Sequence, residues 1–374
     1  MNRTLRQLSA KLHLYLGLLS GVVVFIVCLT GSLYSFKDEI IALSQPWRFV
    51  EAQERPFLLP SEIVEALGGG HPSSITFGEA TDAVSATYFN RDGSRTVYMN
   101  PYSGTIIKTV ERNGNTFDFF DFVMQGHRSL WLPRPVGRPV VGYGVLIFLI
   151  CLVTGIILWY PGRRNKKTMK RLFTIRFRAP FSRVNFDLHN VLGGYACLFL
   201  AVMAFTGLVR SLPWFSEGVY RLTSGGRPLQ AYTLPRSEPE SKPEITEYPP
   251  DKLYMQLKVS CPEAKSFYFA FPRDESGCIR VSVSHKRGMY YTYIDNLFFD
   301  QYTLQPLQGS GPYAGKYSEL STADKFRRMN LDIHDGRILG IFGKIIAFIA
   351  GLIGASLPVT GFIIWNQRRK VKRQ

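Results

Sequence analysis

The segment 12–31, LHLYLGLLSGVVVFIVCLTG, carries one histidine near its start, Gly17 four residues later, and closes on Thr30-Gly31. It returns at 188–207 as LHNVLGGYACLFLAVMAFTG, with Leu188-His189, Gly193 and Thr206-Gly207 at the same spacings. A second pattern also recurs. Val153-Thr154-Gly155 followed by Trp159 reappears as Val359-Thr360-Gly361 followed by Trp365. A His precedes each of these, His127 before the first and His334 before the second. Repeats decide architecture before any single motif does, and this one reads as an internal duplication. Parallel repeats of this kind imply a pseudo-two-fold axis along the membrane normal.

Four stretches are apolar enough, and long enough at roughly 20 residues, to cross a bilayer as helices. They are residues 12–36, 138–160, 188–212 and 338–365. The expected architecture is therefore an α-helical four-helix transmembrane bundle with two α+β domains outside it. The parts in order are a cytoplasmic N-terminus and first span (1–36), an external domain (37–126), a His segment and second span (127–160), and a basic loop (161–186). The third span (187–212), a second external domain (213–333), a His segment with the fourth span (334–365) and a basic tail (366–374) follow. In the first domain, residues 95–110 read as strand, turn, strand around Asn100-Pro101 and Ser103-Gly104. Residues 298–303 are the counterpart, but Leu304 replaces the glycine, so the second turn is expected to differ.

The net charge of +17 would suit nucleic acid if it were spread evenly. It is not. Residues 1–11, 161–186 and 366–374 carry 17 of the 45 Lys and Arg and no acid, and the remaining 28 bases match the 28 acids. Basic residues confined to segments flanking the spans are the positive-inside pattern, which puts both termini and the middle loop in the cytoplasm and argues against a nucleic-acid partner. The first span has no small-residue cleavage site, so it is expected to be a retained anchor, with Met1 kept. Cys28, Cys151 and Cys197 fall inside spans and read as small apolar side chains. Cys261 and Cys278 fall outside, where an oxidising compartment permits a disulfide or two free thiols. No C-x-x-C is present.

Ionisable residues inside a membrane are costly and point to function. His13 and His189 share one depth at the cytoplasmic side, and His127 and His334 share another at the outer side. Gly17 and Gly193, each four residues after an inner His, leave room beside the imidazole for something flat and large. Haem fits: two imidazoles hold a low-spin iron suited to electron transfer. Copper or zinc could also use histidines, yet two His without carboxylate or Cys partners make an incomplete zinc site, and neither pair has an obvious third ligand. Arg128, Arg134, Arg138, Arg328 and Arg337 crowd the outer pair, where they would face lipid headgroups or bind haem propionates or substrate. Asp187, Asp332 and Asp335 read as supporting groups. His71 and His285 have no partner in the repeat and read as surface or domain residues.

These residues resemble the PepSY-associated transmembrane family, which includes iron-regulated membrane proteins and ferrisiderophore reductases. The resemblance spans nearly the whole chain and rests on Leu12-His13 through Thr30-Gly31, on Val97 to Gly104 as a PepSY-like strand and turn, on His127-Arg128-Ser129-Leu130, on Asp187-Leu188-His189-Asn190, and on the two Thr-Gly-x3-Trp endings. Asn100 and Leu304 depart from the family's turn, which usually has Asp and Gly. The resemblance implies a bacterial inner-membrane oxidoreductase with two haems b, on His13, His189, His127 and His334. Its substrate would be ferric siderophore, reduced in the periplasm to release ferrous iron, with a cytoplasmic or quinol electron donor. Two other functions compete with it: a haem-free membrane-anchored binding or regulatory protein, and a transporter of iron or siderophore. The first of these needs no duplicated histidines. The second needs a polar path, and the spans hold few polar residues between the histidine layers.

Overall fold

The computed structural model describes residues 3–161, 165–239 and 249–371. Met1, Arg163, Arg164, Lys372 and Arg373, which entered the reading of the termini and basic segments, lie outside these residues. In chain order the elements are α1 (Arg3–Tyr34), α2 (Lys37–Ser44), α3 (Pro60–Ala66), β1 (Ser74–Phe77), β2 (Val84–Phe89), β3 (Gly93–Met99) and β4 (Ile106–Asn113). Then come α4 (Phe119–Ser129), α5 (Arg134–Trp159), α6 (Lys166–Leu172), α7 (Phe181–Ser211), α8 (Pro213–Ser224) and α9 (Pro249–Ser260). The last are β5 (Ser266–Ala270), β6 (Cys278–Ser284), β7 (Ile294–Asp300), β8 (Pro306–Leu307), α10 (Thr322–His334) and α11 (Gly340–Val371). The chain divides into two compact units.

The first unit takes the chain up to Lys37, Asp118–Val219, and everything from Asn330 on. Its four long helices α1, α5, α7 and α11 are each long and apolar enough to cross a membrane. Each packs on two neighbours, α1 on α5 and α11, and α7 on the same two, so α1 and α7 lie across a diagonal. Both begin earlier than hydropathy alone suggests, because their opening turns are polar yet helical. In α7, Arg183 and Asp187 pair at i,i+4, with 2.8 Å between Nη2 and Oδ1. Pro133 and Pro135 sit at the start of α5, where the first-turn N–H has no intrahelical acceptor and a proline costs little. Close packing at the bundle centre comes from small residues and branched aliphatics: Leu152, Ala196, Cys197 and Leu200 form one buried cluster.

The second unit comprises Asp38–Phe117 and Tyr220–Met329. Its eight strands form one antiparallel sheet in the order β4-β3-β2-β1-β5-β6-β7-β8. This differs from the two separate domains expected over 37–126 and 213–333. The strands of both stretches meet where β1 pairs with β5, Ile75 opposite Phe269. Either set of four alone would leave β1 or β5 as an open apolar edge, and pairing removes both. Alternation along the strands turns Ile75, Phe77, Val84, Val97, Phe269 and Val281 to one face, where α3 and α9 cover them with Ile63, Leu253, Tyr254 and Leu257. Phe77 stacks on Tyr254 with centroids 4.4 Å apart.

The two β-turns correct another expectation. Gly104 closes the first at φ 72, its N–H donating to Asn100 O at 3.0 Å. Leu304 closes the second at φ 58, its N–H donating to Asp300 O at 3.0 Å. The turns are alike, and Leu304 accepts the left-handed conformation that glycine takes for free. Two forces hold it there. Leu304 packs against the unit's core, and Asp300 Oδ1 accepts from the N–H of Tyr302 and Thr303 and from the Thr303 hydroxyl. In the first turn the Asn100 side chain accepts through Oδ1 from Tyr102 N–H, at 2.9 Å. Cys261 and Cys278 are free thiols.

Candidate functional site: two seated histidine pairs

The sequence motif Thr-Gly, used above only to align the repeats, is the seat of every histidine in the membrane unit. His13 Nδ1 lies 3.0 Å from Cys151 O and 3.2 Å from Thr154 Oγ1. His189 Nδ1 lies 2.9 Å from Thr360 Oγ1. His334 Nδ1 lies 3.0 Å from both Met203 O and Thr206 Oγ1. His127 Nδ1 lies 2.9 Å from Val27 O, one turn before Gly31.

These contacts fix the tautomer. A carbonyl oxygen only accepts, so in three of the rings Nδ1 carries the proton and donates it. For His189 the Thr360 hydroxyl is already committed as donor to Ser356 O at 2.9 Å, which leaves its lone pair to accept from Nδ1–H. Nε2 of each ring therefore keeps a lone pair, the form in which imidazole binds a metal, with the opposite nitrogen anchored as metal-ligating histidines require.

The glycine of each motif makes the approach possible. A Cβ at Gly31, Gly155, Gly207 or Gly361 would stand 3.0 to 3.3 Å from Cε1 of His127, His13, His334 or His189 respectively. Within each half the seating is reciprocal: α1 carries His13 to the α5 motif and offers its own motif to His127, and α7 and α11 do the same with His189 and His334.

Across the halves the rings face one another. The centroids of His13 and His189 are 6.2 Å apart, with planes at 84°. Those of His127 and His334 are 6.1 Å apart, at 58°. Two imidazoles ligating one iron at ~2 Å from opposite sides stand roughly 6 Å apart centroid to centroid. The two layers are separated by the seventeen residues from His13 to Thr30, roughly 26 Å of helix. Among the described residues no group of three or more His, Cys, Asp or Glu gathers at either pair. The donor set is two neutral imidazoles per layer, which suits a metal that brings its own equatorial ligands. Gly17 has nothing within 4 Å of where its Cβ would be, and an open apolar groove runs from it along Gly21 and Phe25 to Pro358 and Phe362.

The outer histidines reach their seats through two chain corners. After α4, Leu130 and Trp131 both turn left-handed, at φ 54 and 59. Trp131 folds back over Gly126, donates from Nε1 to Phe122 O at 2.9 Å and stacks on Phe122. After α10, Gly336 at φ 77 turns the chain instead, close against Gly343. Burial lowers the proton affinity of both outer imidazoles. The Val27 carbonyl opposes this at His127, where Arg128 and Arg210 add to it. At His334, His127 and Arg210 add to burial, the Met203 carbonyl opposes, and the value falls to about 3. Both rings are neutral at pH 7.

The arginines expected around the outer pair separate. Arg128, Arg134 and Arg138 are exposed. Arg337 donates from Nε to Asp335 Oδ2 at 2.7 Å, and burial raises the Asp335 carboxyl to about 6 against the pull of Arg337. Arg328 is not available to a ligand: it is buried in the sheet unit and its guanidinium donates to the carbonyls of Pro312, Ile294, Ala314 and Gly315. A buried guanidinium has to fill its donors in this way, and carbonyls of the surrounding loops do it. Asp187 lies between Arg176 and Arg183. Outside the membrane unit, His285 pairs with Asp295 at 2.8 Å and His71 is exposed, as their lack of repeat partners suggested.

Three further groups belong to the site. Asn185, four residues before His189, donates to Thr360 O at 3.0 Å, and Asn330, four before His334, donates to Thr206 O at 3.0 Å. Each ties its own helix to the seat its histidine uses. The shared i−4 spacing was visible in the sequence. Arg210, one turn past Thr206 and exposed, is the third, its charge adding to the burial that lowers the proton affinity of both outer imidazoles.

The whole chain from residue 10 to 368 matches the model of the PepSY-associated TM region. The protein belongs to that family. No curated protein matches it. The match covers all four histidines, all four Thr-Gly seats and the sheet unit.

Proposed function

We propose that this family member is an internally duplicated di-haem b reductase of the bacterial inner membrane, passing electrons from the cytoplasmic side to ferric siderophore in the periplasm. The observation that carries the reading is the pairing of His13 with His189 and of His127 with His334, each ring anchored at Nδ1 and open at Nε2. Haem held by two imidazoles supplies a one-electron centre with no open coordination position, suited to electron transfer. His13 and His189 would hold the inner group and His127 and His334 the outer one, each bridging the two halves of the bundle.

The basic flanks favour cytoplasmic termini, which would put the outer pair and the sheet unit on the periplasmic side. One electron per ferric ion, taken from a reduced cytoplasmic carrier or a quinol, turns Fe(III) into Fe(II), and the siderophore then holds iron less tightly. The bundle centre holds an apolar cluster of Leu152, Ala196, Cys197 and Leu200, with Phe148, Leu149 and Leu357 around it, surroundings that disfavour a polar solute. This favours electrons over iron or siderophore as the species that crosses.

The test uses vesicles of known orientation with electrons supplied on the cytoplasmic side. A ferrous trap should report iron only on the periplasmic side, and His13→Ala should stop this while sparing reduction by an artificial donor added periplasmically. Ferrous iron appearing first on the cytoplasmic side would replace this reading with transport.

A further inference from the structure

In the sheet unit, α3 and α9 cover one face of the sheet. The opposite face is closed near β6, β7 and β8 by a small second core of Cys278, Phe298, Ala314 and Leu307. Across the middle strands it carries hydroxyls instead. The pairing registers set Tyr98 of β3, Ser85 of β2, Thr76 of β1 and Tyr268 of β5 opposite one another in a single row. Among the described residues the hydroxyls of Tyr98, Ser85 and Thr76 have no hydrogen-bond partner, and none of the three is sealed from solvent. Both ends of the row carry a cation laid on an aromatic ring. The Arg48 guanidinium carbon stands 5.3 Å from the centroid of Tyr98, and that of Arg280 stands 5.7 Å from Tyr268. Lys108, opposite Tyr98 on β4, reaches over Trp47 at 5.7 Å. Among the described residues none of these three cations forms an ion pair. The one strand acid turned to this face, Asp300, is engaged by its own turn. Glu79 and Asp82, in the β1–β2 connection, are already paired with Lys265 and Arg287.

Resting on the reductase reading above, we propose that this row docks the ferric substrate and selects complexes of net negative charge, such as tris-catecholates, over cationic ones. A face with cations of one sign and free hydroxyl donors is complementary to anionic oxygens, and hydrogen bonds to charged groups are the strong ones. Three strand spacings, roughly 14 Å, separate Tyr98 from Tyr268, so one bulky complex resting on Ser85 and Thr76 meets a guanidinium at each end. The rings beneath Arg48 and Arg280 hold those side chains in place, which leaves less ordering to the binding step. A cationic complex gains none of these contacts and is repelled by Arg48, Lys108 and Arg280 together.

Equilibrium dialysis of the purified full-length protein tests this, against a ferric tris-catecholate and, separately, a cationic ferric trihydroxamate. The tris-catecholate should bind about tenfold more tightly or better, and its affinity should fall as salt is raised. Ser85 lies mid-row and its hydroxyl serves no other group, so charge can be placed there without breaking a contact. Ser85→Glu should weaken tris-catecholate binding about tenfold, and Ser85→Lys should tighten it. Arg48→Gln and Arg280→Gln should each weaken it about fivefold. If Arg280→Gln fails to fold, the two Ser85 variants and Arg48→Gln decide. Equal affinity for the two complexes, or tris-catecholate binding that Ser85→Glu and Arg48→Gln leave unchanged, overturns the proposal. In that second case, weaker attachment of Ser85→Glu to vesicles of anionic phospholipid would assign the face to lipid headgroups. Haem content separates this claim from the one beneath it. A haem-free protein that selects the tris-catecholate keeps the docking face and loses the reductase reading, whereas a haem protein that reduces ferric complexes without binding them here keeps the reading and loses the face.

Discussion

The Cε1 atom of His334 lies 3.3 Å from the point where a Cβ on Gly207 would stand. The glycine is there for the histidine, and a branched side chain in its place must push the ring off Met203 O and Thr206 Oγ1. Gly207→Val is expected to lose one of two haems, with Gly207→Ala binding it more weakly. Haem-to-protein ratio from pyridine haemochrome absorbance measures both, and a full complement in Gly207→Val would show that the seat does not position a ligand.

His13→Ala and His189→Ala should each remove the same centre, and His127→Ala and His334→Ala the other, because the rings face one another in those pairs. Redox titration of the four single variants distinguishes the centres. Loss of one and the same centre from His13→Ala and His127→Ala would refute the assignment.

The spans and the four histidines were legible in the sequence because length, hydropathy and exact spacing are written along the chain. Which Thr-Gly motif seats which histidine was not, since Thr154 and His13 meet through helix packing and lie 141 residues apart. Nor was the single sheet, which depends on Ile75 finding Phe269 rather than on any property of either strand. Leu304 looked like a break in the turn because its composition argues against a left-handed corner, and only the hydrogen bonds gathered by Asp300 and the packing of the side chain show why the conformation survives. Arg328 looked like a ligand contact because a charge near a histidine in sequence says nothing of where a long side chain ends.

Gly104 and Leu304 make opposite predictions. A Cβ at Gly104 would meet Ala66 Cβ at 3.0 Å and Leu58 Cδ1 at 3.2 Å, at a φ of 72. Gly104→Ala should therefore destabilise the sheet unit by ~1–2 kcal/mol. Leu304→Gly should be close to neutral, since relief of roughly 1 kcal/mol of left-handed strain offsets the lost packing of a half-buried side chain. Thermal unfolding of the two variants in the same detergent checks the contrast, and equal destabilisation would contradict it.

Asp300 gives the turn a pH dependence. Burial opposes its charge, but hydrogen bonds from the N–H of Thr303 and Tyr302 and from the hydroxyls of Thr303 and Ser237 outweigh it and hold the carboxyl below its ordinary 3.8. A depressed folded-state value means stability that is full above 3.8 and lost as pH falls through the folded value. The stability gap between wild type and Asp300→Asn should be constant from pH 7 to 5 and shrink below about 4. A gap that widens on acidification would contradict the assignment.

The most direct test of two seated histidine pairs is the absorption spectrum of the full-length protein purified from haem-replete cells, oxidised and then reduced. The account predicts b-type haem, low-spin in both states, at about two per chain. A colourless protein, or haem that stays unchanged in number when His13 and His334 are both replaced by Ala, would contradict it.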